Sequence, residues 1–361
     1  MSTYQRIIAK TKLIRMKIWN LGIIGSGSIA DFHAKAIKSL PNACLTGVCG
    51  HNEMKTKALA EKYSCKTFKN SSEMLQSADI DMVLIATPSG AHIEPVIEAA
   101  RYRKHVLCEK PLEISPERID KMILAHEEAG TWLGGIFNYR FNDAVRLLKQ
   151  AVDDGRFGVI TSASVYVPWW RSDAYYDSSW RGTLALDGGG ALMNQSIHMI
   201  DMLQYMVGPV SSLQAYTATL AHPRIEVEDS AVAILKFKNQ ALGLVHGSTS
   251  SYPGQFRRLE IMGTKATVVM EENSFKVWQF ADPLPADDEI KEKYSAIEGG
   301  GGVSDPMAIP FEPHARNIAA FIEAVEQGKP FEIDGTEARK SVEIITAIYR
   351  AAKEHKEIVL S

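Results

Sequence analysis

From residue 17 to about residue 137, apolar runs of strand length alternate with segments of helical period. The runs are Ile18–Ile24, Cys44–Cys49, Met82–Ala86, His105–Cys108 and Trp132–Phe137. Several are apolar almost throughout, as strands buried on both faces are. Between them, Ala30–Leu40, Met54–Tyr63, His92–Tyr102 and Pro116–Ala129 repeat their apolar side chains at helical spacing. This alternation predicts βαβ units and a doubly wound parallel sheet.

Beyond this stretch the pattern changes. A helical segment at Asn142–Val152 and a strand at Val159–Val167 lead into an aromatic, polar stretch, Pro168–Thr183. A triple glycine, Gly188–Gly190, opens a helix-period run from Ala191 to Met206, which Gly208-Pro209 stops. Five strands with short turns follow: Val210–Thr219, Asp229–Phe237, Ala241–Ser248, Gln255–Met262 and Lys265–Met270. Consecutive strands joined tightly make an antiparallel sheet. The expected fold class is therefore α/β, with an N-terminal Rossmann-type sheet and a C-terminal α+β domain on a large open, mostly antiparallel sheet. The corresponding division is residues 1–16 as an extension, 17–138 as the parallel-sheet domain and 139–361 as the α+β domain, and the motifs below give the first a dinucleotide-binding role and the resemblance gives the second substrate binding and oligomerisation. Two closing helices, near His314–Gln327 and Thr336–His355, are free to pack on either domain. Ala281–Pro313, with Gly299–Gly302, reads as one long irregular stretch, either a lid or slack.

Length and composition narrow the function classes. The 361 residues are 45% hydrophobic and 23% charged, enough apolar side chain for full cores. A formal charge of −3 gives no electrostatic footprint for nucleic acid or an anionic membrane. No apolar run reaches the ~18 residues of a membrane span. Cys44, Cys49, Cys65 and Cys108 form no C-x-x-C pair and fit free thiols in a reducing cytoplasm, with no metal site expected. Met1–Arg15 holds Lys10, Lys12 and Arg15 and no acid, which suits a basic presequence; a dispensable tail or a misplaced start codon before Met16 is the preferred reading.

Gly25-Ser26-Gly27-Ser28-Ile29-Ala30 lies directly after the first strand and opens a helix. Gly25 permits a tight turn, Gly27 lets a pyrophosphate approach the backbone, and Ala30 keeps helix and strand close. The N–H groups of Ser28 and Ile29 stand at the positive end of the helix dipole. This context makes the turn a dinucleotide cradle. At the end of the second strand an acid would bind the ribose of NAD, but the chain reads Gly50-His51-Asn52-Glu53. The missing acid, with His51 and Lys55 nearby, favours NADP over NAD, although both side chains also suit a solvated surface and Glu53 is free to reach a ribose. Thr87 and Pro88, with His92 opening the next helix, and Glu109-Lys110-Pro111 lie at carboxyl ends of strands, where open α/β sheets bind ligands.

After the triple glycine, Asn194 and His198 stand one helical turn apart, with Asp201 placed to orient the imidazole. Trp169, Trp170, Tyr175, Tyr176 and Trp180 offer apolar faces to a sugar ring, and Arg171 and Arg181 offer donors; a packed aromatic loop is the competing reading. Asn138 and Arg140 sit at the domain junction.

Together, Gly25–Ala30, Thr87-Pro88, Glu109-Lys110-Pro111 and Gly188–Asp201 resemble the Gfo/Idh/MocA family, in order from about Met16 to the C-terminus. The resemblance implies a Rossmann domain followed by an open-sheet domain, assembled as a homo-dimer or homo-tetramer through that sheet. It implies NAD(P)-dependent hydride transfer at a secondary alcohol of a sugar, polyol or nucleotide sugar. It also implies Lys110 and His198 as the catalytic pair. Many members carry Asp where this chain has Asn194, which leaves His198 the stronger general base and Asn194 a substrate or cofactor contact. The Asn-Gln-x-x-His variant is similar to a subset acting on UDP-sugar uronates. Two other readings remain at this point: a non-catalytic dinucleotide sensor, and an enzyme using transient oxidation for isomerisation or glycoside cleavage.

Overall fold

The computed structural model describes residues 17–177, 180–296 and 310–360. The N-terminal extension and Gly299–Gly302 lie outside the described residues.

The first sheet has β1 (Trp19–Ile24), β2 (Ala43–Cys49), β3 (Lys66–Thr67), β4 (Met82–Ile85), β5 (His105–Cys108) and β6 (Leu133–Gly135). Its order is β3-β2-β1-β4-β5-β6, and every pairing is parallel. The strand order reverses between β1 and β4, and a doubly wound sheet opens its ligand crevice at such a switch point. The linking helices are α1 (Ser28–Ser39), α2 (Glu53–Tyr63), α3 (Ser71–Gln76), α4 (Ile93–Arg101) and α5 (Pro116–Ala129). Asn52, Asn70 and Ser115 cap α2, α3 and α5 by accepting a backbone N–H of the first turn. Gly130 ends α5 in the left-handed conformation that a C-terminal cap requires. β3 and α3 escaped the sequence reading because each is too short to show a period.

After α6 (Asp143–Asp153) comes the second sheet, β7 (Ile160–Pro168), β8 (Val210–Ala218), β9 (Ser230–Phe237), β10 (Leu242–Ser248), β11 (Arg258–Gly263), β12 (Ala266–Glu271), β13 (Ser274–Phe280) and β14 (Ile358–Val359). The order is β13-β12-β11-β7-β10-β9-β8-β14, antiparallel except for the β7–β10 pair. α7 (Ile197–Val207) packs on β7. The opposite face leaves Tyr216, Val232, Ile234, Leu242 and Met262 exposed.

Two elements depart from the expected pattern. Ala281–Pro313 is not wholly irregular, since it contains α8 (Ala286–Lys293), and before it stands a strand, β13, that the pattern did not show. Helix α8 is highly charged and shows no apolar period. It is held instead by Asp287, whose carboxylate accepts from Trp278 Nε1 at 2.7 Å and from Arg156 Nη1 at 2.9 Å. The run after the triple glycine begins as a π-helical turn, Ala191–Ser196, and becomes α-helical only at Ile197.

The closing helices serve both sheets. α9 (Glu312–Gln327) packs on α1, and α10 (Gly335–Glu354) packs on β8 and α7 as well as on α5 and β6.

Candidate active site

One cavity of about 1630 Å³ runs from the carboxyl ends of β1, β2 and β4 to the aromatic segment after β7 and the start of α7. Ligand pockets commonly occupy ~300–1,000 Å³, so this space suits an extended molecule plus a second one.

At the first end lies the glycine turn. Gly25 has φ +129°, and a Cβ there would sit 2.3 Å from the Ala86 carbonyl oxygen. The turn can therefore lie flat against β4 only as glycine. A Cβ on Gly27 would meet nothing within 4 Å, because the backbone faces open cavity. Gly27 is also the N-cap of α1 and offers no side-chain cap, so the first N–H groups of Ser28 and Ile29 remain for a ligand. An open glycine backbone at a free helix N-terminus fits the pyrophosphate of a dinucleotide. Ala30, fully buried, is a packing residue behind this turn.

At the end of β2 a Cβ on Gly50 would meet Ser26 Oγ at 2.5 Å and Thr56 Oγ1 at 3.0 Å, so any side chain there would have to displace these hydroxyls. His51, Lys55, Lys57 and Lys69 line this end of the cavity together with Glu53 and Glu73. Thr87 and Pro88 line the wall after β4. His92 does not reach the cavity. Its Nε2 meets the Thr87 carbonyl at 2.9 Å and its Nδ1 the Pro111 carbonyl at 3.0 Å, so it braces the wall from behind.

At the end of β5, Glu109 is held on both oxygens. Oε1 lies 2.7 Å from His33 Nε2, and Oε2 accepts the Lys110 N–H at 3.0 Å. Burial alone would raise its pKa, but the hydrogen bond and charge of His33 outweigh it and hold the carboxyl at about 2. Lys110 Nζ donates to the Asn194 carbonyl at 2.9 Å, joining β5 to the π turn. The bond falls in the stretch where the π turn, Ala191–Ser196, passes into the α-helix that starts at Ile197. Burial lowers the Lys110 pKa.

His198 lines the same cavity. Its ring stacks on Tyr139 at 4.3 Å and meets the edge of Phe137 at 5.7 Å. Its buried Nδ1 has no hydrogen-bond partner among the described residues. The imidazole pKa is pushed well below its ordinary value, mainly by burial, with Lys110 adding to the effect. The like charge of Lys110 is thus secondary to burial. Asp201 does not orient this ring.

Arg140 is not a substrate contact. It is 1% exposed and takes Asp201 at 2.8 and 2.5 Å and Glu337 at 2.9 Å, with its guanidinium over Tyr205. One buried cation thus satisfies both carboxylates, which removes Arg140 and Asp201 from the cavity together. Asn138 stays in it, with Nδ2 3.4 Å from His314 Nδ1.

The aromatic segment divides by backbone alternation. Trp169 and Arg171 face the cavity, as do Tyr175, Trp180 and Arg181. Trp170 points away and packs on Tyr252 at 5.5 Å. Tyr176 also lies outside the cavity lining, bonding Thr249 at 2.8 Å and packing on His222. Neighbouring residues of an extended chain point to opposite sides, so Trp170 could not share a face with Trp169 and Arg171. Asp229 accepts three backbone N–H groups and faces His222, whose Nε2 meets the Arg171 carbonyl at 2.8 Å; this fixes the arginine's backbone.

Sequence reasoning missed Tyr139, His314 and Asp187. Tyr139 and His314 carry no motif; only the fold brings them in. Asp187 immediately precedes the triple glycine, a signal that was present but not read. Among the described residues no group of three or more His, Cys, Asp or Glu is arranged to hold a metal, and no helix is long and apolar enough to cross a membrane.

Comparison with known proteins agrees with this geometry. Residues 19–135 match the family model of an oxidoreductase family with an NAD-binding Rossmann fold, and residues 145–269 match the GFO/IDH/MocA C-terminal domain. Myo-inositol 2-dehydrogenase of Thermotoga maritima is 26% identical over 354 residues, spanning 94% of this chain and 98% of that protein. Levoglucosan dehydrogenase of Pseudarthrobacter phenanthrenivorans is 29% identical over 70% of this chain and 74% of its own length. The crystal structure of the WlbA dehydrogenase from Bordetella pertussis, in complex with NADH and UDP-GlcNAcA, superposes with a TM-score of 0.88 and 34% identity. That match covers 96% of this chain and 98% of the other. The chain belongs to the Gfo/Idh/MocA family of NAD-binding oxidoreductases.

Proposed function

We propose that this protein oxidises a secondary hydroxyl of a nucleotide-linked sugar that carries a carboxylate, with Lys110 and His198 as the working pair. The observation that carries the reading is that the glycine turn, Lys110, His198 and two arginines line one continuous cavity. The bound nicotinamide supplies the hydride acceptor. His198, held neutral by burial, takes the hydroxyl proton. Burial disfavours the imidazolium, so the protonated form is short-lived relative to the neutral ring. Lys110 donates to the oxygen as negative charge develops there. Asn194 and Gln195 position the substrate, Asn138 faces the cofactor, and Trp169, Tyr175 and Trp180 shape the sugar site. Arg171 and Arg181 favour an anionic substrate such as the UDP-GlcNAcA bound by the Bordetella relative.

The cofactor-binding part ends near residue 138, and the rest of the chain binds substrate. His51 and Lys55, with glycine at position 50 where an acid would bind the ribose, support acceptance of NADP beside NAD. The four unpaired cysteines support action in the cytoplasm. The exposed apolar row Tyr216, Val232, Ile234 and Leu242 supports assembly of copies through the open sheet face.

The test is turnover with UDP-GlcNAcA, myo-inositol and levoglucosan, each with NAD and NADP, read as reduced-nicotinamide absorbance. Wild-type protein is expected to reduce NAD with UDP-GlcNAcA. His198→Ala and Lys110→Ala are each expected to lose about 10²–10⁴-fold in kcat with NADH affinity kept. Near-normal turnover in both variants refutes the pair, and activity confined to the uncharged sugars refutes the anionic substrate.

A further inference from the structure

Behind Asn194 lies Asp187, a carboxylate 2% exposed that the mechanism does not use. Its Oδ1 accepts Asn194 Nδ2 at 2.8 Å, and its Oδ2 accepts the Gly182 N–H at 2.9 Å. Both oxygens are therefore taken by donors, a pattern that fits the ionised acid. An ionised carboxylate can only accept, so it fixes which way the Asn194 amide is turned: the NH₂ faces Asp187, and the amide oxygen is left for the cavity. Through Gly182 the same group closes the loop that carries Arg181. The backbone carbonyl of Asn194 in turn accepts Lys110 Nζ at 2.9 Å.

Resting on the reading of Lys110 above, we propose that Asp187 is a positioning residue: its carboxylate sets the Asn194 amide and supplies the negative charge that keeps Lys110 protonated. The charges around Lys110 show why one carboxylate is not enough. Arg171, just after β7, and Arg181 from the following loop oppose its charge, while the nearby imidazoles of His198 and His314 are held neutral by burial. Against these stand Glu109, which His33 and a backbone N–H already engage, and Asp187. Tyr175, Tyr176 and, from α10, Tyr349 are the remaining titratable groups near Asp187. All three phenols are held neutral by burial, so none replaces its charge.

The experiment titrates Lys110 directly. Lysine acylation by acetic anhydride, followed by mass spectrometry across pH, reads the pKa of Lys110 without needing turnover. Asp187→Asn keeps the shape and removes the charge, and should lower the Lys110 pKa by about one unit. Asp187→Glu keeps the charge and should leave it near the wild-type value. The downward shift in Asp187→Asn should also move the high-pH limb of kcat downward, with NADH affinity unchanged. If Asp187→Asn does not fold, Asp187→Ser, which also removes the charge, decides. Unmoved Lys110 titration in a folded variant that lacks the charge overturns the role of Asp187. If the titration moves but Lys110→Ala turns over normally, the reading of Lys110 fails while the electrostatic contact stands.

Discussion

Replacing Arg140 by methionine separates a structural ion cluster from the substrate site. Arg140 is 1% exposed and bonds Asp201, itself 1% exposed, and Glu337. Methionine preserves much of the apolar stem and removes the charge. Asp201 is then buried without its cation, and breaking a buried pair in this way costs about 3–5 kcal/mol. At ~2–4 °C per kcal/mol for a unit of this size, the melting temperature should fall by roughly 6–20 °C. The loss should also depend on pH. Burial raises the pKa of Asp201 even with Arg140 present, and removal of the cation raises it further. Above the unfolded-state pKa the native state then holds a proton that the unfolded chain lacks, so stability falls as pH rises. The deficit against wild type should accordingly be larger at pH 8 than at pH 5. Urea or thermal unfolding at both values measures it, with KM for substrate determined on the folded variant. An unchanged midpoint, or a KM raised tenfold at unchanged stability, would refute the assignment and return Arg140 to the substrate site.

Two further predictions test the two ends of the molecule. Gly27→Ala should fold with a loss of ~1 kcal/mol or less because its methyl meets no atom. It should nonetheless weaken NADH binding at least about tenfold, equivalent to ~1.4 kcal/mol, whereas Gly25→Ala, with its Cβ 2.3 Å from Ala86, should fail to fold normally; fluorescence titration and thermal melts read both. Ile234→Lys on the open sheet face, where the side chain is 58% exposed, should reduce the assembled mass seen by light scattering with little change in monomer stability. A wild-type monomer, or an unchanged mass in the variant, argues against assembly through this face.

The first sheet, its exposed edge strand β3 apart, was legible because its strands are largely buried on both sides, and such strands are written as continuous apolar runs. The α5 boundaries were legible because Ser115-Pro116 starts the helix and Gly130 ends it. The glycine turn, Lys110 and His198 were legible because each sits where a strand or a Gly-rich turn marks it. The rest depended on information that no local window contains. Arg140 reads as an ordinary polar residue beside Asn138, and only the arrival of Asp201 and Glu337 makes it a buried cation. Alternation along residues 169–171 was available to divide Trp169 and Arg171 from Trp170, but it had to be applied to a segment too aromatic to suggest a strand. The π turn left no mark in the sequence, since its apolar spacing over six residues is that of any helix.

The last fifty residues belong to neither half of the chain alone. Helix α9 leans on the first helix of the nucleotide unit and brings His314 into the cavity, while α10 spans the seam and carries Glu337 to Arg140. Such a brace makes the groove between the halves a fixed slot rather than a pair of jaws. A chain cut at the seam would leave two fragments competing for the same pair of helices.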